Sequence, residues 1–319
     1  MPLSKNTTYE SPKWLFNGHL QTIIPSLFRS SILLPFERER ITTLDGDFLD
    51  LDWLKTDSKE LVIISHGLEG NSQRPYMTGM ARQFYSNGYD VLTWNFRGCG
   101  EELNQKPIFY HSGATYDLDE VVRHAEKNYQ SIYLIGFSLG GNLTLKYLGE
   151  KRTSAAKIKK GVAISVPLHL ESSSDKISTG ENIMYAKRFL RTLKEKVAKK
   201  AKIFPHDIPV GTLRKIKTLK DFDNLYTGPL HGFKDAHDYY EQCSSLYFLE
   251  SIEVPTLILN AQNDPFLTDK CFPISLGRTL EAVWMEFPKL GGHVGFTPRA
   301  KEDIYWSEKR AFEFIKYEP

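Results

Sequence analysis

Several things are scarce in this 319-residue chain, and each scarcity removes a class of protein. Three cysteines, Cys99, Cys243 and Cys271, form an odd set without a close pair, which speaks against a disulfide framework and for a reducing compartment. No CxxC or HExxH spacing occurs, so the usual zinc signatures are missing. No apolar run approaches the roughly 18 residues of a membrane span. The start, Met1-Pro2-Leu3-Ser4-Lys5 and polar through Glu10, lacks the apolar core of a signal peptide. A soluble, cytoplasmic protein is therefore expected. The net charge of +2 argues against a dedicated nucleic-acid binder. Neither an internal repeat nor a Pro/Ser-rich tail is present, and the length suits one large α/β domain with an insertion or two ordinary domains.

What is present centres on Ser131 to Lys146. Ile132 to Ile135 form a short apolar run, and Leu139, Leu143, Leu145 and Leu148 follow as a helix. Between them stands Gly136-Phe137-Ser138-Leu139-Gly140, the G-x-S-x-G elbow in the strand-then-helix setting that it needs. Glycines two residues either side of the serine avoid a collision in this sharp turn. The helix N-terminus favours negative charge developing beside the hydroxyl.

Around the elbow the chain alternates strands and helices, which predicts an α/β fold with a mostly parallel sheet flanked by helices. Arg38 to Thr43 and Phe48 to Leu54 read as a hairpin turning at Asp45-Gly46. Leu61 to Ser65, Tyr89 to Asn95, Gly161 to Val166, Pro255 to Ala261 and Ala282 to Phe287 read as further strands. Pro75 to Ser86, Thr115 to Lys127 and a terminal stretch from about Lys301 to Ile315 read as helices. Residues 37–170 and 251–319 form the expected core. Residues 1–36 are an apolar arm packed on it, with rest on a membrane surface as the second reading.

Residues 171–250 are an expected helical lid inserted after the sixth strand. Within it Ile183, Ala186, Leu190, Leu193 and Val197 mark one apolar helix face, with Lys187, Arg191, Lys194 and Lys196 opposite. From Ala186 to Lys220 twelve bases meet two acids, so this segment carries +10 and the remainder −8 of the net +2. A solvated surface is the plain reading of that face; weak contact with an anionic membrane is the other. The lid and loops offer Phe, Tyr and Leu but no evident polar recognition cluster.

A serine hydroxyl needs an imidazole to take its proton, and the imidazole needs a carboxylate to hold its tautomer. Strand-end loops supply Ser138, Asp264 and His293 in that order, the order of an α/β-hydrolase. Asp235 and Asp238 are the alternative acids, but both lie in the insertion. Asp264 could also cap a helix before Pro265. The Gly-rich loop His66-Gly67-Leu68-Glu69-Gly70 follows a buried strand, so the backbone N–H groups of Leu68 and Leu139 are the expected oxyanion donors. His66 reads as a loop brace rather than a base, and Cys99 as a structural thiol.

The blocks H-G-L-E-G-N-S, N-F-R-G-C, Y-H-S-G, G-F-S-L-G-G-N, H-G-F-x-D-A-x-D-Y-Y, D-P-F and G-G-H-V-G-F, with N-G-H-L-Q-T in the leader, resemble the YheT-like family of α/β-hydrolases. The resemblance spans nearly the whole chain. It implies a Ser138–Asp264–His293 triad, no metal or organic cofactor, and a small-molecule ester or acyl lipid as substrate. Relatives described as carboxylesterases, lipases or acyltransferases leave three readings open: hydrolysis of a short- to medium-chain ester, transfer of the acyl group to an alcohol, or binding on a disabled hydrolase fold. The family's eukaryotic members include some with an N-terminal membrane anchor; this leader is read as the compact bacterial type. The sequence is silent on oligomeric state.

Overall fold

The computed structural model describes residues 3–4, 7–152, 156–299 and 303–317. Among them nine strands form one sheet: β1 (Leu3–Ser4), β2 (Glu37–Thr42), β3 (Phe48–Leu54), β4 (Glu60–Ser65), β5 (Asp90–Asn95), β6 (Ser131–Phe137), β7 (Ile158–Ile164), β8 (Thr256–Leu259) and β9 (Val283–Glu286). Their spatial order is β1-β9-β8-β7-β6-β4-β5-β3-β2. The β2–β3 and β3–β5 pairs are antiparallel, and every other pair is parallel. The expected hairpin thus forms the antiparallel edge of an otherwise parallel sheet.

Continuous apolar runs make strands that are buried on both faces, because alternate side chains point to opposite sides. Leu61 and Ile63 of β4 join one core cluster, whereas Val62 and Ile64 join another. The first cluster is closed by α3 (Thr115–Glu126) and α4 (Leu139–Gly149) through Leu118, Val122 and Leu143. The second is closed by α2 (Pro75–Tyr85) and the C-terminal helix Trp306–Lys316 through Met80, Phe84 and Phe314. Arg97, in the loop after β5, is buried and binds Asp45, Asp47 and Asp117, which pins the hairpin turn to the start of α3.

Two expectations need correction. The insertion follows the seventh strand, not the sixth, because β1 pairs beside β9. A two-residue strand made by backbone pairing carries no hydrophobic period, so the sequence could not announce it. The terminal helix begins at Trp306, after Tyr305 and Glu308 form a capping box; its expected start at Lys301 lies outside the described residues, as do Met1, Pro2, Lys5 and Asn6 of the leader.

Between β7 and β8 the chain is helical. It contains α5 (Leu170–Ile177), α6 (Ile183–Ile203), several short turns and the helix Ala236–Cys243. The buried face of α6 packs Leu190, Leu193 and Val197 on Phe222 and Tyr226, so most of its apolar stripe serves the insertion's own core. Lys196 and Lys200 do not belong to a solvated face. Lys196 Nζ bonds Glu69 Oε1 at 2.6 Å, and the buried Lys200 donates to the Lys106 and Ile108 carbonyls. No helix among the described residues is long and apolar enough to cross a membrane.

Candidate active site

Ser138 sits between β6 and α4 with φ 52° and ψ −117°, a conformation that a non-glycine residue adopts only where its surroundings force it. A Cβ on Gly136 would lie 2.2 Å from Gly140 O, and one on Gly140 would lie 2.4 Å from His66 O. Both glycines are therefore required by close backbone approach. Ser138 N–H donates to Ile164 O of β7 at 2.8 Å, which fixes the turn to the neighbouring strand.

The three residues of the expected triad meet. His293 Nε2 is 2.9 Å from Ser138 Oγ, and His293 Nδ1 is 2.8 Å from Asp264 Oδ2. With Nδ1–H donating to the carboxylate, Nε2 is the ring's acceptor and faces the serine hydroxyl. The Asp264 side chain is fully buried, and its Oδ1 accepts from Phe266 N–H at 2.9 Å. Phe266 packs on the imidazole, with ring centroids 4.4 Å apart. Asp235 and Asp238 are elsewhere: Asp235 caps the helix Ala236–Cys243, and Asp238 accepts from Lys234 N–H.

Beside Ser138 the β4 loop presents one free donor between two occupied ones. Gly67 N–H donates to Tyr76 Oη at 3.0 Å and Glu69 N–H to Tyr110 Oη at 2.8 Å. Among the described residues, neither Leu68 N–H nor Leu139 N–H, the first of α4, has an acceptor. His66 is buried, with Nδ1–H donating to Gly67 O at 2.8 Å and Nε2 accepting from Phe96 N–H at 3.2 Å. Burial pushes its pKa down to about 3, so it stays neutral and braces the loop.

The leader holds residues that sequence reasoning did not assign to the site. Asn17 caps α1 (Gly18–Phe28). A Cβ on Gly18 would lie 1.9 Å from Asn263 O, so the helix presses directly on the acid loop. Gln21 is fully buried, and its Oε1 accepts from Asn263 Nδ2 at 2.9 Å and from Gly291 N–H at 2.7 Å. Thr22 Oγ1 accepts from His293 N–H at 2.9 Å. A polar Gln-Thr pair inside an apolar leader was the available signal. In this arm Leu15 is fully buried, while Trp14, Phe16, Leu27 and Phe28 stay exposed.

A pocket of about 380 Å³ opens onto Ser138 and His293. Leu68, Phe137, Phe189 and Phe266 give it an apolar lining, to which α1 contributes Ile23 and Leu27. The expectation of no polar recognition cluster is wrong here, because Arg74, Arg188 and Arg191 also line it. Arg74 precedes α2 and the other two lie on α6, so only folding brings them together.

The three thiols are buried. Burial raises Cys99 to about 11 and Cys243 to about 12, which leaves their reactive thiolates scarce at neutral pH. The native protein is expected to resist a disulfide-exchange reagent such as DTNB at neutral pH, with all three thiols reacting after denaturation. Rapid titration of a thiol in the native state would overturn this.

A parallel sheet carrying a serine on its strand-to-helix turn, with an acid and a histidine delivered by later strand ends, is the architecture of an α/β-hydrolase. Residues 60–271 match the family model described as alpha/beta hydrolase fold. The protein YheT of Escherichia coli (strain K12), which bears an esterase name, is 34% identical over 88% of this chain and 84% of its own. Phospholipase ABHD3 of Bos taurus is 29% identical over 91% of this chain and 73% of its own. Monoacylglycerol lipase of Saccharomyces cerevisiae is 31% identical over 82% of this chain and 60% of its own. Among solved structures, the Pyrococcus furiosus esterase Pf2001 shares the fold, with a TM-score of 0.60 at 19% identity over 90% of this chain and 96% of that one. The chain belongs to the YheT-like family of α/β-hydrolases.

Proposed function

We propose that the protein is a serine hydrolase of short- to medium-chain carboxylic esters, lipid esters among them. The observation that carries this reading is the continuous relay from Asp264 Oδ2 through His293 to Ser138 Oγ, at 2.8 and 2.9 Å, beside an apolar pocket. The names of the relatives, esterase, phospholipase and monoacylglycerol lipase, support the same chemistry.

Ser138 Oγ attacks the ester carbonyl while His293 Nε2 takes its proton, and Asp264 stabilises the imidazolium. The N–H groups of Leu68 and Leu139 receive the oxyanion. The tetrahedral intermediate collapses, His293 returns the proton to the departing alcohol, and an acyl-Ser138 ester remains. Water, deprotonated by His293, then releases the carboxylic acid. Residues 171–250 act as a lid over the pocket, since Tyr185, Arg188, Phe189 and Thr192 of α6 line it. Their spacing places them on one helix face.

A p-nitrophenyl ester series of increasing chain length tests the reading, together with active-site labelling by a fluorophosphonate. Turnover that peaks at short or medium chains, with one label per chain, is the expected result. A protein that neither cleaves any ester nor takes the label is not an esterase. Added alcohol provides a further check: ester products in place of free acid would make it an acyltransferase.

A further inference from the structure

The mouth of the Ser138 pocket carries an uncompensated positive charge. Arg188 and Arg191 lie three residues apart on α6, on the edge that faces the pocket, and both are exposed. Among the described residues Arg188 has no carboxylate within ion-pair distance. For Arg191 the nearest is Glu195, 4.0 Å away and itself exposed. Arg74 is held in place by donating from Nη2 to Glu69 O at 3.1 Å, a bond that leaves its charge unpaired. Arg29 also lines the pocket, but it is paired with the buried Glu308. The one acid in the lining, Glu69, is neutralised by Lys196 at 2.6 Å.

Three guanidinium groups around one opening repel each other, and among the described residues the exposed Glu195, 4.0 Å from Arg191, is the one carboxylate within ion-pair distance of any of them. In a chain whose net charge is +2, this is a local concentration and not a reflection of the whole surface. An arrangement of this kind gains when an anion such as a carboxylate or phosphate enters. An apolar lining next to the nucleophile and cations at the rim together describe a ligand with an acyl chain at one end and negative charge at the other.

We propose that the preferred substrate is an anionic ester, with a phosphate or carboxylate on the alcohol side that Arg74, Arg188 and Arg191 hold while the ester carbonyl lies at Ser138. This rests on the reading of Ser138 as an ester-cleaving nucleophile.

The test compares kcat/KM for three monomeric octanoyl esters: neutral octanoylglycerol, octanoylglycerol phosphate, and a hydroxyalkanoate octanoyl ester bearing a free carboxylate. One or both anionic esters should exceed the neutral one by about 10- to 100-fold at low ionic strength, with the margin shrinking as salt is added. Which of the two leads identifies the anion. In R188Q/R191Q the anionic-to-neutral ratio should fall to within about threefold of unity, and R188K/R191K should keep most of it, because charge rather than fork geometry dominates at an exposed rim. Thermal melting of each variant checks that the fold is unchanged. Equal kcat/KM for anionic and neutral esters in the wild type overturns the inference while leaving the esterase reading intact. So does a ratio that survives R188Q/R191Q, including the case in which that variant instead loses binding to anionic vesicles, which would assign the arginines to a lipid surface. Failure to cleave any ester or to take the fluorophosphonate removes both readings together.

Discussion

Ser138→Ala is expected to lower kcat for a p-nitrophenyl ester by about 10⁶-fold and to abolish fluorophosphonate labelling. In the proposed mechanism the Ser138 hydroxyl oxygen forms the acyl bond, and among the described residues it is the side-chain nucleophile within hydrogen-bond distance of His293 Nε2, at 2.9 Å. Alanine keeps the Cβ and the backbone of the turn, so the strained φ of 52° and the bond from residue 138 N–H to Ile164 O remain. The melting temperature should accordingly move little. His293→Ala should cost about as much, because serine and histidine act as one unit and their losses do not add. Asp264→Asn should lower kcat by about 10⁴-fold, since an amide presents its N–H to His293 Nδ1 and favours the wrong tautomer. The double variant Ser138→Ala/His293→Ala should be no slower than either single one. Substantial turnover in Ser138→Ala, beyond the residual catalysis of binding and oxyanion donors, would show that the elbow serine is not the nucleophile.

Gln21→Leu is expected to lower kcat by about 10²-fold with KM changed less than about twofold, and to destabilise the protein by about 1–4 kcal/mol. Leucine fills a similar volume but accepts no hydrogen bond. Gly291 N–H would then be left without its acceptor in a buried place, at about 1–3 kcal/mol, and the half-buried Asn263 Nδ2 would lose its acceptor at a smaller cost. Asn263 adjoins Asp264, and Gly291 lies two residues before His293, so the loops of Asp264 and His293 both lose their common anchor. A displacement of about 1 Å at the reacting atoms is enough for the expected loss in kcat. Gln21 does not line the pocket, which is why substrate affinity should hold. Thr22→Val offers a milder companion: it removes one acceptor, that of His293 N–H, and should give a smaller fall in kcat in a protein that still folds. A rise in KM with kcat intact would assign these residues to binding and refute a positioning role.

The parts legible in the sequence were those written in local patterns. Ser138 announced itself because its turn needs Gly136 and Gly140 within four residues. The order Ser138, Asp264, His293 followed from strands that could each be read from a short apolar run. His66 as a brace was legible from its place before the glycine loop, and its two hydrogen bonds bear that out. What escaped was written across distance. Gln21 acquires its meaning from Asn263 and Gly291, and the arginine rim exists only because α6 folds over the residues that precede α2. Lys196 looked like part of a solvated stripe, yet folding turned it inward onto Glu69. The helix period of α6 was correct there; one salt bridge to a distant loop outweighed the polarity rule for a single side chain.

The anchoring of α1 also sets a schedule for synthesis. Gln21 leaves the ribosome before both of its partners, one of which follows 242 residues later and the other 270. At roughly 5–20 residues per second, that interval is of the order of tens of seconds. In the later part of it Ser138 and the loop after β4 have been made while the loops of Asp264 and His293 do not yet exist. α1 therefore waits for its partners, and under the proposed function a nascent chain stays inert toward esters until the loops after β8 and β9 arrive.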